Sequence, residues 1–353
     1  MKSKLNDGIL FLQETHSSVN NEIQWKNELN TQGFFSHGKS NSCGVLTAYY
    51  GSKNFILRNQ LCDKEGRILI LDVRIDVSNY ILINFYNANT EIDQLAVISS
   101  LNTMLQKIDF TQTHKIIFAG DFNLYFDKKL ETKGGKPNLK LKSIAEIIKI
   151  QEQYNLCDIW RIRNPFKKRF TFRQNHFSGF IQRRLNYIFI SSNIQEFSDH
   201  VDILPGLSTD HSAVVVTLMD ENEFERGPGL WKFNSSLLCD QIFTSSLKIH
   251  IEEIKNESNS DCDIYDQIKW ELMKYKIRNF SLKFSKKRAL ERKIRKENLE
   301  KETKRLEGNL SNPENKALYE QHKKDLEEIY NEITEGIRIR SKCEWYEYCI
   351  KIV

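Results

Sequence analysis

The 353-residue chain lacks several features that mark other protein classes. Its seven cysteines are scattered, odd in number and never spaced as C-x-x-C, so neither a disulfide framework nor a zinc ribbon is indicated. This cysteine usage favours a reducing, intracellular compartment, either nuclear or cytoplasmic. No apolar run approaches membrane-spanning length, and the apolar run at residues 8–12 is shorter than we expect of a secretory leader.

What the chain contains is an ordinary soluble composition, with 40% hydrophobic residues, 28% charged residues and a net charge of +5. Its length predicts about two domains. Residues 1–219 alternate strand-like runs with helical stretches, and residues 220–230 combine acidic residues with Gly and Pro, which indicates a linker. Residues 231–353 read as helical. The predicted strands are 9–13, 43–49, 55–59, 67–75, 80–86, 115–119, 170–173, 185–190 and 212–218, and the predicted helices of the first domain are 90–107 and 140–154.

Three polar clusters stand at the ends of apolar, strand-like runs. Their sequences are Gln13-Glu14-Thr15-His16, Gly120-Asp121-Phe122-Asn123 and Thr209-Asp210-His211-Ser212. Loops at the ends of rigid strands are where catalytic residues are usually mounted. One such cluster is weak evidence of a site, but three in one chain predict that the clusters converge.

The chemistry available to these clusters is that of hard oxygen ligands. The carboxylates of Glu14, Asp121 and Asp210, with the amide of Asn123, suit Mg²⁺ or Mn²⁺ rather than zinc. We predict Glu14 and Asp210 as metal ligands and Asp121 as the base that activates water, with His211 stabilising a phosphate in the transition state. Taken singly, each residue has an ordinary alternative, such as a solvated strand-end charge for Glu14 or a turn residue for Asp210.

Together the motifs resemble those of the endonuclease/exonuclease/phosphatase superfamily, and most closely the apurinic-like endonuclease domain of LINE-type non-LTR retrotransposons. Further strings support the resemblance: 81–89, 169–173 and 184–191 look like its conserved strands, and 227–234 and 337–341 look like the segment that precedes its reverse transcriptase. The resemblance implies an α+β fold, a four-layer α/β sandwich of the DNase I-like type, followed by a mostly helical segment. It also implies a Mg²⁺-dependent endonuclease that nicks DNA and leaves a 3′-hydroxyl.

The resemblance assigns further site residues to this chain. Tyr86 matches an active-site tyrosine, Asn123 a catalytic amide, and Thr171 a residue near the phosphate. Asn186 stands where the family has an aspartate that orients the catalytic histidine, and an amide stabilises an imidazolium poorly.

Two further departures concern the ends of the chain. The family has a strand with a metal-proximal asparagine before the first motif, whereas here that motif arrives at residue 13, and the chain ends at residue 353, before a reverse transcriptase. We therefore expect a fragment of a mobile-element polyprotein that nicks DNA feebly or not at all. Restoring the carboxylate alone, by Asn186→Asp, should recover little activity.

Basic residues concentrate in two places. Residues 161–184 hold eight cations and no acid, interleaved with phenylalanines, a combination typical of nucleic-acid binding. From this stretch we predict Arg173, Arg183 and Arg184 as nucleic-acid contacts. The alternative is that the phenylalanines simply pack into the core.

The second basic stretch, 274–305, holds 14 basic and four acidic residues, a net charge of +10. A break follows, in which Asn312 is a predicted helix cap, Pro313 begins a second helix, and an apolar stripe from Leu318 to Ile337 predicts a helical hairpin. The basic helix is predicted to contact DNA or RNA or to serve as a nuclear import signal; the alternative is a solvated helix face.

Two function classes follow, an endonuclease and a nuclease-dead remnant that only binds nucleic acid. A phosphatase of the same superfamily is a weaker third.

Overall fold

The computed structural model describes residues 8–29, 31–39, 42–111, 113–136, 138–176, 179–204, 209–219, 233–259, 266–310 and 312–350. The chain divides into two compact units, one within residues 2–226 and the other within residues 227–353. The predicted linker at 220–230 lies outside the described residues.

The first unit combines fourteen strands with four α-helices among its described residues. The strands are β1 (Gly8–Gln13), β2 (Gln32–Ser36), β3 (Val45–Tyr50), β4 (Phe55–Cys62), β5 (Ile68–Ile75), β6 (Ser78–Tyr86), β7 (Lys115–Asp121), β8 (Thr132–Lys133), β9 (Leu156–Asp158), β10 (Phe172–His176), β11 (Gly179–Arg183), β12 (Asn186–Ser191), β13 (Ser198–Leu204) and β14 (Ala213–Leu218). The helices are α1 (Glu22–Leu29), α2 (Glu91–Leu105), α3 (Leu141–Gln153) and α4 (Ile159–Arg163).

A six-stranded sheet organises this unit, with the strand order β4-β5-β6-β7-β12-β9. Strands β6 and β7 are parallel and joined by α2, whereas the other described neighbours are antiparallel. Three smaller sheets accompany it: β1-β3-β2, β10-β11-β8 and the β13-β14 pair. The register places Tyr86 opposite Asp121 and Asp121 opposite Asn186, so three predicted site residues form one row across β6, β7 and β12.

The two faces of the large sheet bury separate cores. On β5, Ile68 and Ile70 face a cluster that includes Ile98 of α2 and Ile147 of α3. The alternate residue Leu69 faces a second cluster, which contains side chains of β1, β2, β3 and β14. Because successive side chains of a strand point to opposite faces, the unbroken apolar run of β5 is what a sheet covered on both sides requires.

The second unit is helical throughout its described residues, with α5 (Gln241–Asn259), α6 (Asp266–Leu306) and α7 (Pro313–Ile350). Helices α6 and α7 form the predicted hairpin, and the Asn312 side chain accepts the Glu314 N–H at 2.8 Å, as expected of the cap. Leu326 and Ile329 are buried as predicted, but Leu318 is exposed and its neighbour Tyr319 is buried in its place. No helix among the described residues is both long and apolar enough to cross a membrane.

The predicted α+β class, with packed sheets, outer helices and a helical C-terminal segment, is confirmed. Every predicted strand is present, with ends shifted by a few residues. The strands β2, β8, β9, β11 and β13 and the helices α1 and α4 were not predicted. The strands are short or carry polar residues, and pairing with a neighbouring strand, rather than their own apolar pattern, sets their conformation. The two helices have only eight and five residues, too few for a clear helical repeat of apolar residues.

Candidate functional site

The site is built around Asp121, the last residue of β7. Its side chain is only 6% exposed, and burial raises the pKa of its carboxyl to about 6 although His211 and the Asn123 N–H act in the opposite direction. A carboxylate with a pKa near neutrality suits proton transfer, because it can both take and release a proton at working pH.

Glu14 lies beside Asp121 on the loop that follows β1. Its backbone is left-handed, with φ 53°, and backbone bonds from Thr15 N–H to the Gly44 carbonyl (3.0 Å) and from His16 N–H to the Cys43 carbonyl (2.9 Å) hold the loop. The Tyr86 hydroxyl donates a hydrogen bond to Glu14 Oε1. Burial, reinforced by Glu14, raises the pKa of Tyr86 far above its usual range, so Tyr86 is a neutral phenol that orients the Glu14 carboxylate.

Asn123 has nearly all its polar groups engaged. Its N–H donates to Asp121 Oδ1 (2.9 Å) and its Nδ2 to the Asn87 carbonyl (2.9 Å), while its own carbonyl accepts from Gln94 Nε2 (3.0 Å) and Lys140 Nζ (2.7 Å). These contacts hold a left-handed backbone, φ 48°, that is costly for a residue other than glycine. Within the described residues only Oδ1 is left without a hydrogen bond, which fixes an acceptor next to Asp121.

Gln94 and Lys140 are site residues that sequence reasoning missed. Gln94 is fully buried on α2, and Lys140 immediately precedes α3, where its Nζ also donates to the Asn89 carbonyl at 2.6 Å. Burial lowers the pKa of Lys140, while Asp121 and Glu91 oppose that change. Nothing in the local sequence separates Lys140 from neighbouring lysines, because its role comes from two distant backbone carbonyls.

His211 completes the group. Its Nδ1 lies 2.8 Å from Asn186 Oδ1 and 3.9 Å from Asp121 Oδ2, and its ring packs on Phe172 with centroids 5.0 Å apart. With an amide oxygen facing Nδ1, that nitrogen carries the proton and Nε2 faces away from both partners. The ring position expected from an aspartate at 186 is therefore kept by asparagine, but without the negative charge that would stabilise an imidazolium.

Thr171 supports this arrangement from inside the protein. It is fully buried, and its hydroxyl accepts the N–H groups of Leu185 (2.8 Å) and Asn186 (3.0 Å). Its carbonyl accepts the Ser212 N–H at 2.6 Å. The side chain is enclosed and its oxygen fixes the start of β12 beside the His211 loop, so its position near a bound phosphate stays a prediction.

The arginines predicted to bind nucleic acid serve the fold instead. Arg184 is completely buried and pairs with Glu131 and Asp158, each at 2.7 Å, so the prediction that it contacts nucleic acid is wrong. Arg183 is buried and donates to the carbonyls of Lys133, Gly134 and Gln182, and the buried Arg173 donates to the Ser212 hydroxyl at 2.5 Å. An arginine has five donors in a rigid fork, which makes it effective at fastening loops.

Asp210 is placed next to His211 by the chain, and its carbonyl accepts the Arg173 N–H at 3.0 Å. Among the described residues, no three His, Cys, Asp or Glu side chains converge closely enough to hold a metal ion by themselves. The pairing of Glu14 with Asp210 on one metal therefore stays a prediction. The Glu14 carboxylate nevertheless suits Mg²⁺, which binds through one or two carboxylates and takes its other ligands from water and substrate phosphate.

Comparison with known proteins gives one relative along most of the chain. A transposon TX1 uncharacterized 149 kDa protein from Xenopus laevis is 27% identical over 342 residues, which cover 95% of this chain. The predicted resemblance to a transposon protein is confirmed. The chain spans about a quarter of the length of this transposon relative. No protein-family model matches the chain.

Solved structures similar to this chain include an AP endonuclease from Leishmania major, with 19% identity and a TM-score of 0.46 over 58% of this chain and 76% of that one. A 3′-5′ exonuclease from Neisseria meningitidis has 17% identity and a TM-score of 0.48 over 60% of this chain and 88% of that one. An AP endonuclease from Archaeoglobus fulgidus has 17% identity and a TM-score of 0.46, with the same shares covered.

Proposed function

We propose that the unit within residues 2–226 is a divalent-metal-dependent phosphodiesterase that nicks DNA. The observation that carries this proposal is the grouping of Asp121, Asn186 and His211, with Nδ1 of His211 at 2.8 Å from the amide and 3.9 Å from the carboxylate. In this arrangement the buried carboxylate can take a proton from water while the second nitrogen of the imidazole contacts a phosphate.

In the proposed reaction, Asp121 takes a proton from water and the water oxygen forms a new bond to phosphorus. The bond from phosphorus to the leaving sugar oxygen breaks, and that oxygen takes a proton from solvent water, which leaves a 3′-hydroxyl and a 5′-phosphate. The free Oδ1 of Asn123 accepts a hydrogen bond from the attacking water and so aims it. When His211 is protonated on both nitrogens, its Nε2–H would donate to a non-bridging phosphate oxygen and offset the developing negative charge.

The metal site centres on Glu14, with Asp210 as its proposed partner. Bound Mg²⁺ or Mn²⁺ would polarise the phosphoryl oxygen and offset the charge of the leaving oxygen. The Tyr86 hydroxyl holds Glu14 in place, and Lys140 keeps a positive charge behind Asn123. Glu14 is thus oriented by the protein before any ligand arrives.

Nicking of supercoiled plasmid by the 353-residue chain tests this proposal directly. We expect open-circle product with Mg²⁺ or Mn²⁺ and none with EDTA. Asp121→Asn should lower the rate by about 10²–10⁴, the usual contribution of a general base, whereas Asp109→Asn, a change of the same kind at an exposed residue, should leave it unchanged. Equal nicking by both variants would refute the role of Asp121.

The amide at position 186 favours a second candidate, a protein that binds nucleic acid without cleaving it. An uncharged partner for His211 removes the stabilisation that a carboxylate would give to the imidazolium. Tight DNA binding without nicking under any divalent metal would support this candidate. Release of phosphate from a phosphomonoester, again without nicking, would support the phosphatase.

We further propose that α6 adds affinity for DNA or RNA. Some of its cations pair internally, as Arg288 does with Asp240 at 3.0 Å, but Lys283, Lys286 and Lys287 are exposed and make no recorded ion pair among the described residues. Replacing Lys286 and Lys287 with Gln should weaken binding at all sequences alike and flatten its salt dependence. An unchanged salt dependence would mean that this face only meets solvent.

A further inference from the structure

The structure sorts the eight cations of residues 161–184 into two groups. The six arginines each bind another group of the protein: besides the three described above, Arg161 pairs with Glu131 (3.1 Å), Arg163 binds the Ser198 carbonyl (2.7 Å), and Arg169 binds the Ile203 carbonyl (2.6 Å). The two lysines, Lys167 and Lys168, are exposed and make no recorded ion pair among the described residues. Among the described cations of this stretch, the two lysines thus combine exposure with the absence of a side-chain partner.

The phenylalanines of the same stretch are sorted in a similar way. Phe170 is buried and Phe172 packs against His211, so both belong to the core and the site. Phe166 is 87% exposed, the most exposed large apolar side chain among the described residues. It stands immediately before the two exposed lysines. We call residues 165–168 the Phe166 loop.

Hydrogen bonds from Arg161 hold the backbone of the Phe166 loop. Arg161 Nη1 donates to the carbonyls of Asn164 (3.3 Å), Pro165 (3.3 Å) and Lys167 (3.0 Å). Its other nitrogen, Nη2, is anchored on the buried Glu131 at 3.1 Å. Three carbonyls held by one guanidinium, together with the fixed φ of Pro165, give the loop a defined shape, so little conformational freedom is lost when its tip binds a partner.

The loop is also close to the site along the chain. Five residues separate Phe166 from Phe172, which contacts His211. Even fully extended, that segment spans only about 20 Å, roughly the length of six nucleotides along one strand. One nucleic acid can therefore occupy the site and reach the Phe166 loop.

We infer that the Phe166 loop is a stacking platform for an unpaired base of the nucleic acid, with Lys167 and Lys168 on the adjoining phosphates. The inference rests on the proposed function in one respect, that the substrate is a nucleic acid. A phenyl ring has no hydrogen-bonding group, so it can stack on any base without reading sequence. Two lysines adjoin the ring, and residues 161–184 contain no acid, so the charge of this stretch suits binding to a polyanion such as nucleic acid.

Fluorescence anisotropy with labelled oligonucleotides, measured in EDTA so that no turnover is needed, tests the inference. For a single-stranded oligonucleotide, Phe166→Ala should weaken binding about tenfold, and Phe166→Trp should bind as tightly as the wild type or more so. Ile162→Ala is the matched control, because Ile162 is an exposed apolar residue nearby, on α4, and should change binding less than about twofold. A fully paired, blunt duplex should be bound equally by wild type and Phe166→Ala.

Each other outcome decides against the inference. If Phe166→Ala weakens single-strand and duplex binding equally, the ring is a wedge between paired bases rather than a platform for an unpaired one. If it changes neither, the ring does not touch nucleic acid. The result is separable from the nicking assay: Phe166-dependent binding without Asp121-dependent nicking overturns only the proposed function, and the reverse pattern overturns only the stacking platform.

Discussion

Two buried carboxylates in the first unit have opposite properties. Glu131 is 2% exposed and Asp121 is 6% exposed, yet the pKa of Glu131 lies below its ordinary value and the pKa of Asp121 lies well above. Burial raises the pKa of both. At Glu131 the effect of burial is outweighed by Arg184, Arg161 and two backbone N–H groups. At Asp121 burial prevails over the opposing influences of His211, the Asn123 N–H and Lys140.

The difference separates a structural charge from a functional one. We call Glu131, Arg161, Arg184 and Asp158 the arginine network; in it the carboxylates are matched by cations and the Tyr187 hydroxyl donates to Glu131 at 2.9 Å. Only Leu185 separates Arg184 from Asn186, which belongs to the site. A carboxylate saturated with donors stabilises the fold, and one left short of donors can still accept a proton.

The largest expected effect is on the arginine network. Arg184→Met should lower the free energy of unfolding by about 3–5 kcal/mol, because it leaves buried carboxylates without their cation. Urea denaturation measures this change. Arg74→Met, the same substitution at an exposed residue of β5, is the control and should cost less than about 1 kcal/mol. Equal losses for the two variants would contradict the structural role of the network.

Lowering the pH should weaken the contribution of the same network to stability. The folded-state pKa of Glu131 is below its ordinary value of 4.5, so the unfolded chain binds the proton more readily and stability is lost as pH falls below about 4.5. Glu131→Gln cannot lose this contribution. Its unfolding free energy should therefore fall less between pH 7 and pH 4 than that of the wild type, and an equal fall would mean that Glu131 is not held ionised by its partners.

The contribution of Asp121 to stability should depend on pH in the opposite direction. Its folded pKa of about 6 exceeds the ordinary 3.8, so the folded state binds the proton more tightly and stability decreases as pH rises from 3.8 to 6. Asp121→Asn should raise the unfolding free energy at pH 8 by about 3 kcal/mol, and it should lower the nicking rate by about 10²–10⁴. Thermal melts at pH 8 and pH 4 test this, since the gain should shrink at the lower pH. If the variant were less stable than the wild type at pH 8, Asp121 would be a carboxylate that stabilises the fold, as Glu131 does.

The smallest effect is expected from Asn186→Asp. The new carboxylate would support a cationic His211, but it would also stand opposite Asp121 in the strand register and repel its charge. We expect the nicking rate to change by less than about tenfold and the pH at which activity appears to move upward. A pH–rate profile of both proteins distinguishes this from a gain of many orders of magnitude, which would show that the amide alone limits activity.

Much of the fold followed from local pattern. The unbroken apolar run at 67–75 required a strand buried on both faces, and the alternation of runs and turns located every predicted strand to within a few residues. The polar clusters at strand ends identified Glu14, Asp121, Asn123 and His211, which contacts and charges bring together. These features are readable because strand geometry and side-chain alternation depend only on neighbouring residues.

What the sequence alone determined is therefore the class of fold, the places where it turns, and the residue types available for chemistry. Tertiary structure decided which of those residues are free to act. Eight cations in one basic stretch looked alike, yet the six arginines bind other groups of the protein and the two lysines are exposed, while Lys140 gained a role from backbone carbonyls of distant loops. Charge is a property of a residue, but its pKa and its reach depend on partners that only the folded chain supplies.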